Sequence, residues 1–220
     1  MSQAKTQATH YKIDYSDVPI RLFKSDFLEF FTHITPQAIV VIWTPVIALF
    51  LLRAFQDSTR VGSALYILPA LVLGLFIWTF GEYTMHRFVF HFPPRTPTME
   101  RITFLFHGVH HAQPSLKTRL VMPPVVSIPM ALVFYGLFSL VFGALLNAPL
   151  WIAPTVAGTM AGYLIYDLTH YATHHWPIKG GYFKFLKKYH MLHHFKTEDA
   201  RYGVTSPIWD YVFKTMPVES

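Results

Sequence analysis

Residues 61–94 read VGSALYILPALVLGLFIWTFGEYTMHRFVFHFPP. From Val61 to Met85 this run carries one charge, Glu82, and it then closes on His86, His91 and a pair of prolines. An apolar run near the ~20 residues that cross hydrocarbon, ending in imidazoles, reads as a membrane span with polar chemistry at its end. Three further stretches, 34–52, 124–146 and 150–168, have the same character, and residues 120–178 hold Asp167 as their sole Asp, Glu, Lys or Arg. With residues 64–85 they predict four transmembrane helices in an all-α integral membrane protein. Pro45, Pro69, Pro129 and Pro154 fall inside these stretches and predict kinks, which neighbouring helices make tolerable in a membrane.

Composition agrees. The 220 residues are 52% apolar and 14% charged, too greasy for an ordinary soluble domain, and a soluble helical bundle is the lesser alternative. There is no Cys, which excludes disulfides, iron–sulfur clusters, cysteine-held zinc and thiol catalysis. The net charge of +6 belongs to no compact nucleic-acid-reading motif, so no nucleic-acid partner is expected. Of the 18 Lys and Arg residues, only Arg53 and Arg60 fall on one side of a four-span arrangement. The positive-inside rule then places both termini and the 86–123 connection in the cytoplasm. Residues 1–33 read as a polar interfacial arm and 34–220 as one membrane domain with a cytoplasmic tail over 175–220. The first span is not read as a removable signal peptide.

Histidines, 13 in all, outnumber the 12 carboxylates, and ten of them form four groups on the expected cytoplasmic side. These are HRFVFH (His86, His91), HGVHH (His107, His110, His111), HYATH (His170, His174) and HMLHH (His190, His193, His194). Steps of three and four place side chains on one helix face, so the last three groups can each aim imidazoles at a common point. The five-residue step from His86 to His91 is about 140° of α-helical rotation, so those two need a helix end or a local distortion to converge. Ten imidazoles supply about five nitrogens to each of two metal ions, too many for one closed structural zinc, and predict a dinuclear, histidine-rich cap. Imidazole alone does not choose among zinc, copper, iron and nickel. His10 and His33 stand alone and read as ordinary polar side chains, while His175 points away from His174 and reads as surface or as support for a ligand. Glu82, one turn before His86, and Asp167, three residues before His170, are candidates to hold a ligand's other N–H, or else interfacial carboxylates.

The sequence around these groups, EYTMHRFVFHFPP, HGVHHAQP, RLVMPP, YDLTHYATHH, HMLHHF and YGVTSPIWDYVF, resembles the fatty acid 2-hydroxylase family of the membrane-bound fatty acid hydroxylase and sterol desaturase superfamily, over residues 82–215. The resemblance implies two iron ions, with zinc possible as isolated, held by His86, His91, His107, His110, His111, His170, His174, His190, His193 and His194. It implies a monooxygenase that uses O2 to hydroxylate carbon 2 of an acyl chain, in ceramide or another membrane lipid. Eukaryotic members carry a fused cytochrome b5 domain, and the 33 residues before the first span lack its length and its HPGG haem signature. Electrons are therefore expected from a separate cytochrome b5, ferredoxin or similar carrier, docking on the basic 179–196 stretch. The membrane would be the inner membrane of a bacterium or the endoplasmic reticulum of a eukaryote. A desaturase or sterol-type oxidase, and a non-enzymatic metal-binding protein or transporter, are the competing readings. Transport is disfavoured because the third and fourth spans offer almost no polar pathway.

Overall fold

A computed structural model describes residues 11–217, and all regular structure within them is helical. The helices are α1 (Asp26–Phe30), α2 (Pro36–Val61), α3 (Ile67–Met85), α4 (Pro97–Thr103), α5 (Val109–Ala112), α6 (Pro124–Phe138), α7 (Ile152–His175), α8 (Gly181–Phe195) and α9 (Ile208–Val212). Wider, π-type turns continue three of them, over His86–Phe90, Phe104–Gly108 and Ser139–Leu145. The first ten residues of the expected arm, with His10, and the last three of the tail lie outside the described residues.

Three helical segments, Pro36–Val61, Ile67–Phe90 and Pro124–Leu145, are long and apolar enough to cross a membrane. Their outward faces carry exposed Leu49, Val72, Leu132 and Val133, as expected of surfaces that meet lipid rather than water. The first span runs nine residues beyond the apolar stretch. Arg53 and Arg60 both pair with Asp57 along its surface, and Gly62, in the left-handed conformation, ends it. Pro69 and Pro154 do not interrupt their helices: each lies in a first turn, where the missing N–H has no intrahelical partner to lose. Pro45 and Pro129 are interior.

Helix α7 is the axis of the molecule. It is 24 residues long, most of them buried, and it packs chiefly against α3 and then α2. The α3–α7 contact is made by backbone, because Gly74 and Gly158 have no side chain to hold the helices apart. A Cβ at Gly158 would stand 2.1 Å from the Leu71 carbonyl oxygen, and one at Gly74 would stand 2.1 Å from that of Thr155. The Thr159 hydroxyl donates across the contact to the Gly74 carbonyl, at 3.2 Å. One turn on, Trp78 occupies the space beside Gly162 and meets Tyr163 edge to face, with ring centres 5.4 Å apart. Contacts 74–158 and 78–162 advance together, so α3 and α7 run parallel and end at the same level, where both carry histidines.

Replacing Gly158 with Ala should force these backbones apart and destabilise the protein by about 1–3 kcal/mol or more. Thermal unfolding in detergent measures this, and an unchanged midpoint would show that the contact is not tight.

Candidate metal centre

The ten histidines come together in two groups of five. His86, His91, His107, His111 and His193 form one, and His110, His170, His174, His190 and His194 the other; in each, the offered ligand atoms lie within 4.8 Å of one another. Local backbone explains the convergence. A π-type turn hydrogen-bonds residue i to i+5, and the His91 N–H bonds the His86 carbonyl at 3.1 Å, bringing two imidazoles that an α-helix would splay to 5.0 Å between ring centres, tilted by 53°. The π-type turn at Phe104–Gly108 leads into α5, where His107 and His111 turn to the first group and His110 to the second. On α8, His190 and His194 face the second group while His193 faces the first. The rings of His111 and His194 stack 4.1 Å apart and join the two.

In both groups the facing atoms are Nε2. Adjacent pairs are 3.1 Å apart at His86–His107, His107–His111 and His91–His193, and 2.9–3.1 Å apart at His110–His170, His174–His190 and His190–His194. With metal–imidazole bonds of about 2.1 Å, nitrogens at right angles lie about 3.0 Å apart and tetrahedral ones about 3.4 Å. The spacing fits a five- or six-coordinate ion in each group. Protonation agrees: burial first, and then the neighbouring imidazoles, hold His107, His110, His111, His190 and His194 well below the ordinary histidine range, which leaves neutral rings. In the first group, the His193 Nδ1–H donates to the Ala200 carbonyl at 2.7 Å, and the His86 Nδ1–H donates to that of Tyr202. In the second, His170 and His174 bond the backbone of Leu120 and Pro114. A proton fixed on Nδ1 leaves the Nε2 lone pair facing inward. Five inward lone pairs are an arrangement that a cation stabilises and an empty cage does not.

Neither Glu82 nor Asp167 touches an imidazole. Glu82 accepts the N–H groups of Val204 and Thr205 and the Thr205 hydroxyl, and Asp167 accepts the Met122 N–H at 3.1 Å. His175 belongs to neither group. Sequence reading passed over Asp210, which is fully buried and accepts the N–H groups of Tyr202 and Gly203 at 2.9 and 2.8 Å. Its only signal was a carboxylate inside the aromatic stretch IWDYVF. His33, read as an ordinary residue, bonds Arg119 through Nε2 and Thr118 through Nδ1, and Arg119 also pairs with Glu29. Gln113 ties the described part of the arm to α5, accepting the Ile20 N–H at 2.8 Å and donating to the Val18 carbonyl at 2.9 Å.

Two cavities reach the centre from different sides. One, of about 560 Å³, is walled by apolar residues including Phe23, Phe27, Phe31, Val125 and Val126 and ends on His107, His110 and His170. The other, of about 320 Å³, reaches His91, His107 and His111 past Arg87, Glu198 and Asp199.

Fold and site together define a helical protein with membrane-length spans whose shared end carries a paired histidine centre suited to metal. The sequence model of the fatty acid hydroxylase family matches residues 71–215. The chain is 39% identical over 198 residues to the dihydroceramide fatty acyl 2-hydroxylase FAH1 of Arabidopsis thaliana, covering 90% of this chain and 80% of that protein. It is 39% identical over 194 residues to the ceramide very long chain fatty acid hydroxylase scs7 of Schizosaccharomyces pombe, covering 86% of this chain and 53% of that one. A solved structure of full-length scs7p, with only its hydroxylase domain visible, superposes with a TM-score of 0.78 at 36% identity, covering 88% of this chain and 70% of the other. The chain belongs to the fatty acid hydroxylase family.

Purified protein loaded with divalent metal should bind two ions per chain, and His91→Ala or His174→Ala should each weaken one of them. Elemental analysis after gel filtration reads this; unchanged stoichiometry and retention in both variants would sink the two-group arrangement.

Proposed function

We propose that this protein hydroxylates carbon 2 of a fatty acyl chain, in ceramide or a related membrane lipid, with two iron ions held by the ten histidines. The apolar cavity that ends on His107, His110 and His170 carries this reading, because it joins a surface suited to an acyl chain to the nitrogens that would hold metal. The activity in the name of the Arabidopsis relative, a dihydroceramide fatty acyl 2-hydroxylase, supports the position of attack. Bound iron would supply the redox chemistry that puts one oxygen atom of O2 into an unactivated C–H bond and releases the other as water, at the expense of two electrons and two protons.

This chain's residues do the rest. Phe23, Phe27 and Phe31 wall the acyl chain away from water, and Val125 and Val126 bound its far side. The second cavity, with Arg87, Glu198 and Asp199 in its wall, serves as the water-facing side, where protons enter and water leaves. Electrons come from a separate carrier, a cytochrome b5 or ferredoxin, drawn to exposed Lys184 and Lys188.

The membrane arrangement belongs to the same reading. Helix α7 is the fourth span, sheltered from lipid by α2, α3 and α6, and the histidines and both termini face the cytoplasm. Residues 1–33 form an interfacial arm on a single domain from 34 to 220.

Two outcomes test these assignments. Expressed in a host without 2-hydroxy lipids, the protein should add one oxygen at carbon 2, read by mass spectrometry of the hydrolysed lipids. His110→Ala and His193→Ala should abolish that product, Val126→Trp should lower it severalfold, and loss of two hydrogens with no added oxygen would favour a desaturase. In this cysteine-free chain, a cysteine at exposed Ser63 should react with an impermeant thiol reagent in intact cells and one at exposed Lys184 should not. The reverse pattern would overturn the orientation.

A further inference from the structure

Two buried carboxylates stand in equivalent places beside the two histidine groups. Glu82 lies one turn before His86 on the same helix face, 2% exposed, and Asp167 lies three residues before His170, 1% exposed. Each accepts backbone N–H from a segment that is remote in sequence: Val204 and Thr205 for Glu82, Met122 for Asp167. In both cases the carbonyl two residues before the first N–H so held bonds the nearby imidazole, Tyr202 to His86 and Leu120 to His170. A closed loop of contacts results, running from helix to carboxylate, to backbone, to carbonyl, to imidazole and back to the same helix.

We propose that Glu82 and Asp167 are paired positioning residues, each setting the ring orientation and tautomer of one metal-holding histidine, one per group, through the backbone carbonyl that it clamps. This rests on the reading of the ten histidines as metal ligands. Because Glu82 and His86 rise from one helical turn, the 202–205 segment cannot slide along α3 without breaking both contacts at once. Asp210 completes the first brace by holding the N–H groups of Tyr202 and Gly203, so four consecutive N–H groups are accepted by two carboxylates and the Tyr202 carbonyl is left to face His86. The second brace is completed by Tyr163, whose hydroxyl donates to the Met122 carbonyl at 3.3 Å. Clamping the segment that orients a ligand acts on metal affinity, and loss of such an outer contact costs about 10- to 100-fold.

The test uses the full chain in detergent, loaded with zinc as the probe and challenged with graded chelator, with retained zinc counted per chain. Glu82→Leu and Asp167→Leu should each shift the release of one of the two ions by tenfold or more and leave the other in place. In the double variant both should shift. Glu82→Gln keeps an oxygen for the two N–H groups and Asp167→Asn keeps one for Met122, so both should retain zinc nearly as the parent chain does, which a role resting on charge would not allow. Unchanged release in the Leu variants would overturn the proposal. So would equal loosening of both ions by each Leu variant, or failure of Gln and Asn to restore retention. If the parent chain itself holds no zinc pair, the ligand reading fails first and takes this inference with it.

Discussion

Ten neutral imidazoles held lone pair towards lone pair repel one another, and much of the structure serves to keep them facing inward. Burial forbids the easy escape of protonation, because a charged ring inside the cage would be both poorly solvated and next to other rings that attract protons equally. Rotation is blocked by backbone bonds at His86, His193, His170 and His174, and packing of the buried rings against one another holds the rest. What remains is a cage that a cation would stabilise, and each of its two halves draws on three of the four sequence groups.

The two cavities divide the surroundings of that cage by polarity. His107 lines both, so a mainly apolar compartment and a mixed one that includes Arg87, Glu198 and Asp199 meet at a single imidazole. Separate access suits a reaction that joins a water-insoluble chain with protons from the aqueous side, because neither route needs to carry the other's cargo. The arm matters to this division: its residues from Leu22 to Thr32 help to wall the apolar side, and Arg119, Glu29, His33 and Gln113 hold it down.

Much of this was legible in the sequence, for physical reasons that differ by element. Long uncharged runs showed the apolar helices, because hydrocarbon demands both length and composition. Histidine steps of three and four showed the shared faces, and the five-residue step at His86–His91 called for the distortion that the π-type turn supplies. The partition into fives was countable, but which histidine joins which group was not, since it depends on how α5 and α8 are rotated against each other. The partners of Glu82 and Asp167 were hidden too: hydrogen bonds between residues 82 and 204, or 122 and 167, leave no periodic trace. Asp210 was passed over because nothing in the sequence shows that the Tyr202 and Gly203 N–H groups take a carboxylate as their partner. The prolines misled in the other direction, since Pro69 and Pro154 fell within apolar runs yet sit at helix starts.

The glycine contact between α3 and α7 bears on how such a protein meets bilayers of different thickness. Distance there is set by backbone atoms in contact at Gly74 and Gly158, with no compressible side chain between them. Hydrophobic mismatch is relieved by tilt, and tilt is cheapest where helices touch through side chains that can repack. A tilt that relieves mismatch therefore moves α3 and α7 together more readily than it slides one along the other. The parallel pair that carries His86 and His170 keeps its register, which holds one histidine of each group at a common level.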